Sequence, residues 1–174
     1  MKPKNKAHIA TIGAATIALS IIFLFAASIA PTGRFLLFAI ATMLSIAVVI
    51  ECGLAWAWTS YAATAILALF LVPDKTMVFL YILFFGYYGM VKMYIEMLQK
   101  LWLEWTIKMT LFAVVSYIIG FLLAGLIGLK LPANYSMLIL WGIAIVGFTL
   151  YDIGYSSAAN LYIHSLQRYL KFKR

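Results

Sequence analysis

Long uncharged runs, separated by short polar or turn-forming segments, make up most of this sequence. A helix needs about 20 residues to cross the hydrocarbon of a bilayer, and only helices or closed β-barrels satisfy all their backbone groups there. The runs lack the alternation of polar and apolar residues that is typical of barrel strands. The pattern therefore predicts an all-α integral membrane protein with a single transmembrane domain over 1–174. Its six transmembrane helices are expected at 9–30, 35–50, 54–72, 76–91, 109–129 and 136–157.

The breaks between the runs differ in strength. Proline-containing turns follow the first and third runs at Pro31 and Pro73 and lie before the last run at Pro132. The break at 51–53 is the weakest. If the second and third helices fuse or one of them re-enters the membrane, the count becomes five and the termini fall on opposite sides. The first run is longer than the apolar core of about 7 to 15 residues in a signal peptide, so we expect it to remain in the protein.

Composition and charge agree with a lipid environment. The chain has 174 residues, of which 66% are hydrophobic and 10% are charged, and its mean hydropathy is +1.05. Soluble domains carry roughly 25% charged residues, so an ordinary soluble domain is excluded.

The basic residues are unevenly distributed between the two sides. Only Arg34, Lys75 and Lys130 lie on one side of the predicted topology, and the other Lys and Arg residues lie on the opposite side. The positive-inside rule then places both termini in the cytoplasm of a multi-pass protein in the cell inner (cytoplasmic) membrane. The net charge of +8 could suggest binding to nucleic acid. Its uneven distribution instead indicates contact with a membrane surface.

Candidate chemistry is sparse. Cys52 is the single cysteine, and the two histidines, His8 and His164, lie near opposite chain ends. This excludes an intramolecular disulfide and disfavours a metal site, and we expect no cofactor. Nucleophile elbows, zinc-binding His-Glu-x-x-His helices and phosphate-binding glycine loops are absent from the sequence, so we expect no enzymatic activity.

Charges at four-residue spacing follow the fourth run. Alternating signs at this spacing stabilise a helix, and the aromatic residues between them are typical of a membrane interface. We predict an interfacial amphipathic helix over 92–108, which either only connects two transmembrane helices or docks a cytoplasmic partner. A basic tail is predicted over 164–174. The charges are Lys92, Glu96, Lys100, Glu104 and Lys108.

Two acids, Glu51 and Asp152, fall near the cytoplasmic ends of predicted helices. An acid within the membrane needs a partner. We expect an ion pair with Lys92 or with residues of the tail; the alternative is a proton-binding or substrate-binding role.

Two further features suggest binding. Near the outer end of the last helix, Asn134, Tyr135 and Trp141 form the kind of aromatic and polar mouth that a small ligand from outside would meet. On the first helix, small residues at four-residue spacing would let another helix approach closely, either a partner or a neighbour within the chain. These small residues are Ala10, Ala14 and Ala18.

With six predicted helices, both termini cytoplasmic, and the alanine stripe of the first helix, the chain resembles the S components of energy-coupling-factor transporters. The resemblance implies a micronutrient uptake protein that binds a vitamin-like molecule from outside. It also implies that Ala10, Ala14 and Ala18 contact a transmembrane coupling subunit, which sits on cytoplasmic ATPases. Under the resemblance, the ligand site would comprise Arg34, Lys75, Asn134, Tyr135 and Trp141.

The chain also resembles component D of the bacterial rod-shape-determining system, which has a similar length and helix number. That resemblance implies a non-catalytic membrane scaffold whose working surfaces are the segment 92–108 and the basic tail. A third interpretation is an interfacial lipid-modifying enzyme that uses Glu51 and Asp152.

Overall fold

The structure is a computed structural model that describes residues 6–126 and 137–172. Within these two ranges the chain consists of helices and short connections, without strands. A π-helical turn, Tyr81–Phe85, joins α5 to α6. The α-helices are α1 (Lys6–Ile29), α2 (Arg34–Met43), α3 (Ser45–Cys52), α4 (Leu54–Leu71), α5 (Lys75–Leu80), α6 (Gly86–Glu96), α7 (Leu101–Leu126) and α8 (Met137–Phe172).

Several of these helices fit a membrane location. In the described part of the chain, five helical stretches are long and apolar enough to cross a bilayer: Lys6–Ile29, Arg34–Cys52, Leu54–Leu71, Lys75–Glu96 and Leu101–Gly120. The all-helical prediction is thus confirmed. The 36-residue helix α8 falls where the sixth crossing was predicted and is not one of the five. Six crossings and cytoplasmic termini remain predictions.

The weak break at 51–53 is a true helix boundary. Gly53 has a φ of 89°, in the region that favours glycine, and it separates α3 from α4. The fused-helix alternative is therefore not what the structure adopts.

A second, milder break lies inside the predicted second helix, where α2 ends at Met43 and α3 begins at Ser45. The hydroxyls of Thr42 and Ser45 donate to carbonyls three residues earlier, at 2.8 Å and 2.9 Å. Such back-bonding often bends helices.

The helices alternate in direction between two ends of the bundle. At one end, the Ile9 carbonyl lies 4.0 Å from Cys52 Sγ, and Tyr162 Oη donates to Glu51 Oε1 at 2.9 Å. We call this the proximal end, because the beginning of α1 and the later part of α8 both lie there. At the opposite, distal end, Arg34 at the beginning of α2 pairs with Asp74 before α5.

The bundle is held by two kinds of packing. Small residues such as Ala27, Ala41 and Ala68 are buried where α1, α2 and α4 meet. Aromatic rings fill the space between α6, α7 and α8, where the Phe112 and Phe148 rings stack with centroids 4.5 Å apart. Many large apolar side chains instead face outward, as expected where the surrounding solvent is lipid.

Candidate functional site

Asp152, on α8, is the centre of a buried group of charges at the proximal half of the bundle. Lys92 Nζ pairs with Asp152 Oδ1, and Lys108 Nζ lies 3.2 Å from Asp152 Oδ2. Tyr88 Oη donates to Asp152 Oδ1 at 2.5 Å. Glu96 Oε1 lies 3.2 Å from both lysine nitrogens. We call these five residues the Asp152 cluster.

Burial divides the cluster into an inner part and a rim. Lys92, Lys108 and Asp152 are only 2%, 4% and 4% exposed, whereas the side chain of Glu96 is 45% exposed. Buried ions are tolerated only when they are paired and hydrogen-bonded. Asp152 balances one of the two lysines, and Glu96 supplies the second negative charge from the rim.

The sequence brings these groups together through one helix face and one chain reversal. Tyr88, Lys92 and Glu96 are spaced four residues apart on α6 and so share a face. The chain then turns back at 97–100, where Gln99 has a φ of 53°. Lys108, in the second turn of α7, thereby returns to the level of Lys92.

This arrangement differs from the predicted continuous helix over 92–108, which is here two helix ends joined by a tight turn. The predicted series of charges at four-residue spacing is divided accordingly. Lys92, Glu96 and Lys108 belong to the Asp152 cluster, Lys100 is exposed in the turn, and Glu104 is half-buried on α7. The two buried lysines do not form part of an exposed docking face.

The π turn sets which face of α6 points to α8. Tyr61 Oη, on α4, donates to the Ile82 carbonyl within this turn at 2.6 Å. A Cβ atom on Gly86 would lie 2.7 Å from the Tyr61 ring, so the ring needs a glycine there. A π turn contains more residues than an α turn and therefore rotates the helix that follows. Tyr88 and Lys92 owe their orientation to it.

A groove with a volume of about 660 Å³ lies between α3, α6 and α8 in the proximal half of the bundle. Lys92 and Glu96 line one part of it, so it borders the Asp152 cluster. Further polar lining comes from Gln99, Ser156 and Asn160, and apolar lining from Ile46, Val49, Ile50, Met93, Met97 and Ile163.

Gly89 and Tyr155 form the inner wall of the groove. A Cβ atom on Gly89 would overlap the hydroxyl of Tyr155, so α6 and α8 approach closely only because residue 89 is glycine. Tyr155 Oη also lies 3.2 Å from Ser45 Oγ, which connects α8 to α3. These contacts fix the relative position of the three helices that line the groove.

The two predicted acids have different surroundings. The expected pair of Asp152 with Lys92 is present. Glu51 accepts a hydrogen bond from Tyr162, on the last third of α8. Burial, together with the hydrogen bond to Glu51 and its negative charge, raises the pKa of Tyr162 to about 12.

The predicted outer mouth is only partly described, and its two described cations, Arg34 and Lys75, are already bonded. Arg34 pairs with Asp74 and donates from Nε to the Ala27 carbonyl at 3.1 Å. Lys75 Nζ donates to the carbonyls of Leu69 and Val72 at 2.6 Å and 3.0 Å. Both cations therefore cap the ends of preceding helices.

The aromatic and amide part of the mouth is described only at Trp141. Trp141 lies on α8 and is 37% exposed. Asn134 and Tyr135 lie outside the described residues, as does Lys130.

The alanine stripe faces outward. Ala10, Ala14 and Ala18 are all exposed on α1, whereas the neighbouring Gly13 faces α4, with Ser60 Oγ 3.5 Å from an added Cβ. The three alanines therefore do not pack against the other described helices of this chain, as one of the two interpretations required. Docking of a partner helix remains open.

Sequence reasoning missed the contribution of Tyr88, Gly89, Lys108 and Tyr155 to one site. The signal available was the spacing of Tyr88 before Lys92, which places a phenol and an ammonium on one helix face. Nothing in the spacing of Tyr155 or Lys108 indicated their proximity.

Comparisons of the chain with family models, with curated proteins and with solved structures found no match. Among the described residues, no group of three or more His, Cys, Asp or Glu side chains could hold a metal ion.

Proposed function

We propose that this chain is a multi-pass membrane protein that binds a small molecule without catalysing a reaction, as the S component of a micronutrient transporter does. The observation that carries the proposal is the groove beside the Asp152 cluster. Its volume of about 660 Å³ falls within the range of about 300–1,000 Å³ that is usual for small-molecule sites. Its lining combines apolar side chains with a few polar groups, which is also typical of such sites.

The groove, and not the distal residues, is the ligand site in this proposal. Arg34 and Lys75 are engaged with Asp74 and with backbone carbonyls, so a ligand would have to displace structural contacts. Lys92 and Glu96 are also paired, but unlike the distal cations they border an existing space. This placement departs from the S-component pattern, in which the ligand enters at the end away from the termini.

The proposed coupling surface is the exposed stripe of Ala10, Ala14 and Ala18. Its position on the outer side of α1 suits close contact with a transmembrane coupling subunit that is itself attached to cytoplasmic ATPases. The groove and the stripe are thus two separate surfaces of the same bundle.

The test is a ligand screen with a blocked groove. Mass spectrometry of the purified protein would identify small molecules that co-purify, and a thermal-shift screen would test water-soluble vitamins. Ala159 lines the groove, whereas Leu161, on the same helix, is 69% exposed and does not. We expect a saturable rise in Tm that persists in Leu161→Phe and is lost in Ala159→Phe. A full screen without any saturable rise, or a rise that Ala159→Phe leaves intact, would contradict the proposal.

A scaffold of the rod-shape-determining type is the second candidate. It is favoured by the apolar side chains around the reversal between α6 and α7, where Met97, Leu101 and Trp102 are 63%, 72% and 90% exposed. In this case Trp102→Glu would disturb cell shape, whereas Phe70→Glu, at a position 81% exposed on α4, would not.

The third interpretation was a lipid-modifying enzyme that uses Glu51 and Asp152. These two acids bind different partners in the structure, and we propose no reaction for them.

A further inference from the structure

The Asp152 cluster contains one negative charge that is held much less firmly than the other. Asp152 is enclosed by both lysines and by Tyr88. Glu96 is 45% exposed, and a single oxygen, Oε1, is shared between two ammonium groups at 3.2 Å each. Glu96 is thus the anion in the cluster that can be exchanged.

The exchange would take place in the wall of the groove. Lys92 and Glu96 both line it, and Glu96 is the last residue of α6, beside the exposed turn at 97–100. If the Glu96 carboxylate turns outward to water, Lys92 and Lys108 together retain one uncompensated positive charge beside Asp152. A buried positive charge requires a replacement anion. The groove is where such an anion can reach Lys92.

The rest of the groove selects what is attached to that anion. Away from the cluster its walls are mainly apolar, formed by Ile46, Val49 and Ile50 on α3 and by Met93 and Met97 beside Glu96. Apolar surface stabilises a hydrocarbon body by about 25 cal/mol for each Å² removed from water. One end of the site therefore suits a single negative charge and the other suits an apolar body.

We infer that the groove binds an amphipathic monoanion, with a carboxylate or phosphodiester head that replaces the Glu96 carboxylate on Lys92 and Lys108. This inference rests on the proposed small-molecule function and specifies the ligand class of the same groove. The ligand comes either from solution, as a free carboxylic acid, or from the bilayer, as an anionic lipid. Both carry the same head charge and an apolar body.

The test uses decanoate as the anionic probe and decanol as its neutral counterpart, with the full chain in nanodiscs of phosphatidylcholine. Glu96→Gln removes the competing carboxylate, and Glu104→Gln removes one negative charge outside the cluster. We expect Glu96→Gln to bind decanoate about tenfold more tightly than wild type, which is the least expected for one charge-assisted hydrogen bond. Decanol affinity should be unchanged, and Glu104→Gln should resemble wild type.

Three further arms keep the result interpretable. If Glu96→Gln does not fold, Glu96→Asp, which withdraws the carboxylate by one methylene, should also strengthen decanoate binding. Ala159→Phe should abolish binding of the probe. Nanodiscs with phosphatidylglycerol should weaken decanoate binding if the natural source is the bilayer, and leave it unchanged if the source is solution.

The outcomes separate this inference from the proposed function. Equal binding of decanoate and decanol, or an affinity for decanoate that neither Glu96 variant raises, would overturn the inference. If a neutral vitamin still bound in the groove and was blocked by Ala159→Phe, the proposed function would stand without it.

Discussion

At the scale of single residues, Asp152 is the group on which most contacts depend. Its two carboxylate oxygens accept from Lys92, Lys108 and Tyr88, and these partners come from α6 and α7. Removing one partner of a buried ion pair destabilises a protein because the other charge is left buried and uncompensated. The cluster therefore links three helices through one side chain.

We expect Asp152→Asn to lower the free energy of unfolding by about 3–5 kcal/mol, because two buried lysines would then share only the half-exposed Glu96. Unfolding in mixed micelles of sodium dodecyl sulfate and dodecyl maltoside, followed by circular dichroism, measures this change. The double variant Asp152→Asn with Lys108→Met restores charge balance and should recover part of the loss. A wild-type unfolding midpoint for Asp152→Asn would mean that the carboxylate is not enclosed.

Some contacts of single residues could be predicted from the sequence and others could not. The pair of Asp152 with Lys92 could be predicted because both lie at a similar depth near helix ends. Lys108 could not be placed beside Asp152, because a continuous helix over 92–108 would carry it far from Lys92. Likewise, the placement of Arg34 and Lys75 on the same side followed from the order of the predicted helices, but their bonds to Asp74 and to carbonyls depend on how the helix ends meet.

At the scale of helices, the long uncharged runs predicted where helices occur, because burial in lipid requires helical backbone bonding. The interruptions within these helices could not be predicted in the same way. The bend between α2 and α3 and the π turn before α6 depend on side-chain hydrogen bonds to carbonyls, such as the one from Tyr61 to Ile82. The contact of Tyr61 with Ile82 joins residues that are distant in sequence, and the bend between α2 and α3 lies within an uninterrupted apolar run. The pattern of hydrophobic and polar residues therefore does not indicate either interruption.

The contact of α6 with α8 at Gly89 gives a prediction at this scale. Replacing glycine with alanine inside a helix normally adds up to about 1 kcal/mol of stability. At Gly89 the new methyl group would overlap Tyr155, so we expect Gly89→Ala to destabilise the protein by about 1–3 kcal/mol. Gly147, on α8, has no atom within 4 Å of an added Cβ, and Gly147→Ala is the matched control.

A double-mutant cycle distinguishes this steric effect from other causes. In the Gly89→Ala background, Tyr155→Leu should cost less stability than it does in the wild-type chain. Chemical unfolding in detergent gives the four free energies. Strictly additive losses would show that residues 89 and 155 do not touch.

At the scale of the whole molecule, the beginning of α1 and the later part of α8 lie at the same end of the bundle, as the contacts of Cys52 and Tyr162 require. Basic residues are concentrated at that end, and positive charge is retained on the cytoplasmic side of membranes. This combination predicts that the proximal end lies on the cytoplasmic side.

Accessibility of single cysteines tests that direction. In a Cys52→Ala background, cysteines replace His8 and His164 near the proximal end and Thr32 near the distal end, all at exposed positions. We expect an impermeant maleimide to label Thr32→Cys in intact cells and to label the other two only after permeabilisation. Labelling of His8→Cys and His164→Cys from opposite faces would exclude an even number of crossings.

The π turn at Tyr81–Phe85 has a consequence for how this chain aligns with its relatives. Because such a turn accommodates roughly one residue more than an α-helical turn, the inward face beyond Phe85 is offset by one position along the chain. A homologue with a regular helix in this region would present the same face with one residue fewer. An alignment with such a homologue would need a single-residue gap in this region to match the two inward faces.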